Sequence, residues 1–401
     1  MAMRRATCRG CESNKLVQFM DLGMMPLAGG FLCNEEAVAD EKLYPLSIYV
    51  CEECSLAQVL EVLDPEVLFQ DYSFSSSTIG SLVQHFENYA KWLANKLGPQ
   101  TVVEFGCNDG VLLTPLEKLG IKAVGVDVSR NITEIARSKG LDVITGYFDE
   151  EMAEAIHGRL GRVDVVIGTN VFAHNDQPER ILKAAQRLVK TTGHLCLEVM
   201  YAGDLLEFLQ WDTLYHEHLT FYSLSSLQVL LNRYSFHIVD AERIPMHGGS
   251  LRVVATPNAH ALRQPGVDRV LKYEEAKRLT DPETWLTFGA QAHRKIQVVT
   301  ETFGHLSRHN RIWAYGAAGK ATMWVNACQM TYLEAVVDAS PLRAGKLMPG
   351  THTPIVFPEE LEKSPPDYIF VTAWNYAEHI RAKESWYQGI WSVPLPELRF
   401  F

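Results

Sequence analysis

Three groupings of side chains in this 401-residue sequence have the types and spacing needed for chemistry. The first is Thr101-Val-Val-Glu104-Phe-Gly106-Cys-Asn108-Asp109-Gly110, an apolar run that breaks into a glycine-bearing turn. A second apolar run, Ala123-Val-Gly-Val-Asp127, ends on an acid. In an open α/β sheet, ligands lie in the crevice outside the carboxyl ends of the strands. Gly106 allows the backbone to approach a ligand closely, and Asp127 is placed to take both hydroxyls of a ribose. Such a turn can serve NAD, FAD or S-adenosylmethionine. The dinucleotide fingerprint G-x-G-x-x-G is missing, because Asn108 stands at its second glycine.

The second grouping is Cys8-x-x-Cys11 with Cys51-x-x-Cys54. One tight turn presents two sulfurs to a metal, and two such turns close a tetrahedral shell of four thiolates. With no open position, a zinc ion there is structural. A redox C-x-x-C is the alternative, but it is expected near a βαβ unit rather than ahead of one. Cys33, Cys107, Cys196 and Cys328 read as core or turn thiols.

The third grouping is Tyr215-His216-Glu217-His218. Histidine exchanges protons near neutrality, and a tyrosine hydroxyl can steady a developing oxyanion. The H-E-H spacing is not the H-E-x-x-H that puts two metal ligands on one helical face. An exposed polar turn is the alternative. His174, in the loop Thr169-Asn170-Val-Phe-Ala-His174-Asn175, faces the same crevice as Asp127 and is a second candidate base. His247, in Met246-His-Gly-Gly249, also fits an ordinary hairpin corner.

These groups need elements to hold them. Strands are expected at 101–105, 122–126, 141–144, 163–168 and 194–199 with helices between, the alternation of a doubly wound sheet. A helix is expected over 80–97, closing antiparallel strands at 236–242 and 251–256, and a helical connector over 266–309. A further α/β unit begins at Arg311-Ile-Trp-Ala-Tyr315-Gly316, with strands at 333–337 and 368–372. The divisions are 1–75, a zinc-binding domain; 76–260, the doubly wound α/β domain; and 261–401, the connector and a Rossmann-like domain. The hydrophobic fraction of 47% and charged fraction of 21% are ordinary for a globular protein. A net charge of −11 argues against a nucleic-acid partner. No apolar run approaches the ~20 residues of a membrane span, so a cytoplasmic, reduced protein is expected.

Taken in order, these motifs resemble the S-adenosylmethionine-dependent sugar C-methyltransferases of deoxysugar biosynthesis, over nearly the whole chain. The resemblance rests on the four cysteines, E-x-G-C-N-D-G at 104–110, the Asn170/His174 loop and Tyr215-x-Glu217-His218. Pro245-x-His-Gly-Gly249, Tyr315-Gly-Ala-x-x-Lys320 and Ala373-Trp-Asn375 complete it. It implies a class I methyltransferase sheet between a small zinc domain and a second Rossmann-like domain. It implies S-adenosylmethionine at Glu104, Gly106, Asn108, Asp109, Asp127, Phe148 and Asn170, with structural zinc on the four cysteines. It further implies a 4-keto-6-deoxy sugar on a nucleotide diphosphate, dTDP-linked, held by Tyr72, His247, Tyr315, Lys320, His352 and Asn375. His218 is the implied base, with His174, Tyr215 and Glu217 lining the sugar; a monomer is expected. Transfer to oxygen or nitrogen of a nucleotide sugar, or an inactive zinc-ribbon module, are the competing readings.

Overall fold

The computed structural model describes residues 3–64, 76–78 and 80–401. Its first unit is an antiparallel sheet of Leu16–Met25, Tyr44–Cys51 and Ala57–Val59. The first cysteine pair precedes this sheet, and the second ends its middle strand and the following turn. A fourth strand, Thr220–Phe221, joins from far along the chain, with Thr220 opposite Gln58 and Phe221 opposite Ala57. That strand was not expected from the sequence. Two residues carry no usable alternation signal.

The middle unit is a seven-stranded sheet. Its order is His237–Ile244, Ser250–Thr256, Val189–Met200, Val163–Thr169, Thr101–Phe105, Lys122–Asp127, Val143–Thr145. The last five of these run parallel, and the hairpin of the first two closes the sheet antiparallel. Strands buried on both faces read as continuous apolar runs, which is why Val102, Val103 and Val165–Ile167 stand out in the sequence. Thr101–Phe105 is where the strand order reverses, so the ligand crevice must open at its carboxyl end. The strand expected at 141–144 lies at Val143–Thr145, and the one expected at 194–199 extends back to Val189.

The connector is two helices, Pro265–Ala276 and Pro282–Leu306, rather than one. Pro282 fixes the first turn of the second helix and Asp281 caps it, accepting from the Glu283 N–H. This 25-residue helix lies on the strand Leu16–Met25, with Trp285 and Phe288 around Phe19 at ring separations of 5.1 and 6.1 Å. Gly289 permits the approach: a Cβ there would sit 1.8 Å from the Phe19 carbonyl. The last unit is a six-stranded sheet ordered Ile355–Val356, Val336–Val337, Ile312–Tyr315, Tyr368–Val371, Ile390–Val393, Arg399–Phe400, parallel except for its final strand. Among the described residues no helix is long and apolar enough to cross a membrane.

Candidate active site

The turn after Thr101–Phe105 is built for a ligand. Gly106 has φ +65°, and a Cβ there would fall 2.4 Å from Val171. Asn108 also adopts a left-handed conformation, φ 49°. It does so because its N–H donates to Asp127 Oδ2 at 2.9 Å, while Ser129 N–H donates to Oδ1 at 2.9 Å. Asp127 thus closes the turn and lines the cavity wall. Burial raises its pKa, opposed by those backbone N–H groups. A cavity of about 580 Å³ opens here, lined by Gly106, Asn108, Asp127, Phe148, Asn170 and His174 among others. That size suits a small-molecule cofactor, and the turn, the acid tip and the cavity together fit S-adenosylmethionine. Phe148 stacks on Phe105 at 5.2 Å and presents an apolar wall.

Two expected donor residues stand elsewhere. Asp109 is fully buried and does not line the cavity; its carboxylate accepts the Ser77 N–H at 3.2 Å and meets Lys139 Nζ at 3.4 Å. Its work is to anchor the helix entry. Glu104 is buried beneath the cavity, and burial, with Asp127, Glu198 and Asp109 nearby, holds its pKa well above the carboxylate range.

Beside the cavity the expected bases converge. The His174 and His218 rings are 5.1 Å apart, and Tyr215 lies 4.0 Å from His218. His218 Nδ1 is 2.7 Å from the Thr213 carbonyl, which can only accept, so Nδ1 carries the proton and Nε2 keeps its lone pair. Burial, then the neighbouring His174, pulls the His218 pKa well below the usual histidine value. Burial also lowers His174. Glu217 accepts the Gly29 N–H at 3.2 Å, and burial pushes its pKa up to about 7. His247 has φ 55° in its glycine turn and lines the cavity; burial, then Lys320, brings its pKa down to about 4. His216 turns away and bonds the Pro45 carbonyl at 3.1 Å.

The residues expected to hold the sugar nucleotide divide. Tyr72 lies outside the described residues. Tyr315 is buried with its hydroxyl on Glu384 at 2.7 Å, so it packs the C-terminal core instead of facing a ligand. His352 pairs with Glu41 at 2.7 Å, at a separate cleft between the first and last units. Asn375 is exposed on the short turn Trp374–Tyr376. Lys320 does reach the centre: Nζ lies 4.5 Å over the Trp374 ring, buried and without a hydrogen-bond partner among the described residues. Burial lowers its pKa, opposed by Asp212. The adjacent Gly319 abuts Tyr215, whose hydroxyl would be 3.2 Å from a Cβ there.

Asp212 and Trp324 at this seam escaped the sequence reading, and Trp374 entered it only inside the motif Ala373-Trp-Asn375. Asp212 Oδ2 accepts the indole N–H groups of Trp324 at 3.0 Å and Trp374 at 2.7 Å. The partners are 112 and 162 residues away in the chain, and no local pattern announces them.

The four cysteine sulfurs lie within 4.8 Å of one another, with Cys8–Cys54 and Cys11–Cys51 at 3.5 Å. A tetrahedral zinc–thiolate site needs sulfurs about 3.8 Å apart, so the residues fit the metal. Gln58 Nε2 donates to Cys8 Sγ at 3.1 Å and the Gly10 N–H donates at 3.3 Å, orienting the ligand as outer-shell bonds do.

Family models match three stretches of the chain. Residues 8–69 match "Putative zinc binding domain", 82–241 "Methyltransferase domain", and 245–396 "C-methyltransferase C-terminal domain". C-methyltransferase NovU of Streptomyces niveus is 33% identical over 403 aligned residues, covering 98% of this chain and 96% of its own length. The ubiquinone biosynthesis O-methyltransferase of Cupriavidus pinatubonensis is 33% identical over 101 residues, 25% of this chain and 41% of its own length. Among solved structures, magnesium protoporphyrin IX methyltransferase of Synechocystis superposes with a TM-score of 0.34 at 19% identity, covering 43% of this chain and 81% of its own.

Proposed function

This chain belongs to the C-methyltransferases with an N-terminal zinc-binding domain, and on that premise we propose that its acceptor is a nucleotide-linked 4-keto-6-deoxy sugar, dTDP-linked, methylated at C3 rather than C5. S-adenosylmethionine is its methyl donor and supplies an electrophilic methyl group. Joining that methyl to carbon requires a carbanion equivalent on the acceptor. A ketone makes its α-hydrogens acidic, because the charge left by proton removal spreads onto the carbonyl oxygen.

The observation that carries this reading is the locked tautomer of His218 beside His174 and the donor cavity. A lone pair fixed on Nε2, on a ring kept neutral by burial, is a base held ready. Tyr215 and His174 flank it and can oppose charge growing on the sugar oxygen. The donor cavity is lined by Asp127 and Asn108 and also by His174 and His247, which supports a junction of methyl donor and base there. We assign the nucleotide diphosphate to the C-terminal unit: Gly316 and Ala317 give their N–H groups to the Val337 carbonyl and Asp338, which leaves the Ala318–Gly319 entry to the helix Gly319–Ala327 and the Lys320 charge to meet it. Eight cysteines outside any disulfide, four of them the zinc set, suit a reducing cytoplasm, and a monomer is the working assembly.

The test is solvent exchange. Incubated in D2O with S-adenosylhomocysteine and a dTDP-4-keto-6-deoxy sugar, the protein should place deuterium on the α-carbon without transferring methyl. A transfer to oxygen or nitrogen needs no ketone. Methylation of a 4-hydroxy sugar nucleotide without exchange would replace this reading with that one.

A further inference from the structure

We propose that Arg9, the residue inside the first metal-binding turn, is a positioning residue for the methyl-donor site, acting through Asp176. Arg9 is 2% exposed. Such a charge is buried only where it is paired and hydrogen-bonded, and its partners reach in two directions. On the metal side, its backbone N–H donates to Gln58 Oε1 at 3.1 Å, and Gln58 Nε2 donates to Cys8 Sγ at 3.1 Å. Its guanidinium also donates to the Val59 carbonyl. On the donor side, its Nε donates to Asp176 Oδ1 at 3.0 Å, with a second guanidinium nitrogen at 2.9 Å. Arg5 completes the clamp, donating to the Asp176 carbonyl at 2.8 Å.

Asp176 is a wall of the donor cavity and ends the loop that carries Asn170 and His174. The same metal-side strand, Ala57–Val59, pairs with Thr220–Phe221, two residues beyond His218. Arg9 and that strand therefore grip both histidine-bearing segments from the zinc-binding module. Removing the Arg9–Asp176 link should free the end of the 170–177 loop while leaving the four sulfurs in place. This inference depends on the donor occupying the cavity and not on the identity of the acceptor.

The test uses the full chain, well below its unfolding midpoint, with S-adenosylhomocysteine as the probe. Arg9→Gln and Asp176→Asn should each keep about one zinc per chain and each weaken probe binding by on the order of tenfold, the usual scale of mutations that couple sites. The double variant should be no worse than either single one, and Arg9→Lys should restore part of the loss. Should Arg9→Gln not fold, Asp176→Asn, which preserves shape and removes only the charge, decides alone. Zinc-loaded, folded Asp176→Asn with unchanged probe affinity and unchanged turnover would overturn the proposal. Additive losses in the double variant would overturn it too.

Discussion

The backbone N–H of Leu219 donates to the carbonyl of Ala173 at 2.9 Å, so the segment bearing His218 and the loop bearing His174 are joined through their immediate neighbours. The Leu219 carbonyl in turn accepts the Val59 N–H at 3.0 Å. A side chain that must remove a proton at a defined carbon gains from this rigidity, since small misplacements of a base cost large factors in rate.

His218→Asn should lower methyl transfer by roughly 10²–10⁴-fold, the usual worth of a positioned base, while S-adenosylhomocysteine still binds. A variant with near-normal turnover moves the role to His174 or His247. In the wild type the base must be neutral. Because burial holds its pKa below the ordinary histidine value of 6.5, the acid limb of kcat/KM should have its midpoint below pH 6.5.

Asp127→Ala removes the acid assigned to the ribose and also frees the N–H groups of Asn108 and Ser129. Two hydrogen bonds to an ionised acceptor, at about 1.5–3 kcal/mol each, predict at least a hundredfold loss of donor affinity. Calorimetry with S-adenosylhomocysteine checks it; unchanged affinity would place the donor elsewhere.

Glu217 should make stability depend on pH in the reverse of the usual sense for an acid. Its folded pKa, about 7, lies above the unfolded value, so the native state holds the extra proton between them. Stability from this group is therefore present at low pH and declines as pH rises toward 7. Glu217→Gln should remove that decline, gaining roughly 1–3 kcal/mol on the wild type between pH 4 and 8. Denaturant unfolding at both pH values tests this, and parallel curves for the two proteins would refute it.

Purified without added metal, the protein should contain about one zinc per chain, and Cys51→Ser should lose both the metal and the cooperative unfolding of the first unit. Native protein whose four thiols titrate freely with a chromogenic reagent would contradict this.

Lys320→Met should raise the KM for the sugar nucleotide and leave donor affinity unchanged, because Lys320 lies on the C-terminal side of the seam, over Trp374. A loss of donor binding instead would assign the lysine to the other ligand.

The middle sheet is legible in the chain because its strands are buried on both faces and end in residues with a job, as Asp127 does. The cysteine turns are legible because four ligands at short spacing have few other uses. The C-terminal sheet is only half legible, since Ile355–Val356 and Arg399–Phe400 are two residues long and gain their pairing from neighbours already in place. Site residues followed the same division. His174 and His218 meet as the family resemblance implies, whereas Tyr315 and His352 are claimed by Glu384 and Glu41 across distances of 69 and 311 residues that no sequence motif encodes.

Asp212, with its two indole donors, bears on how such proteins can be recombined. A carboxylate that bonds Trp324 and Trp374 at once makes the middle and C-terminal units a fitted pair. A chimera joining this methyl-donor unit to a C-terminal unit from another source would strand a buried acid unless both tryptophans came with it. Exchange of acceptor range by swapping units should then succeed or fail on two aromatic positions, and grafting those two indoles into a foreign C-terminal unit is the economical route to a working hybrid.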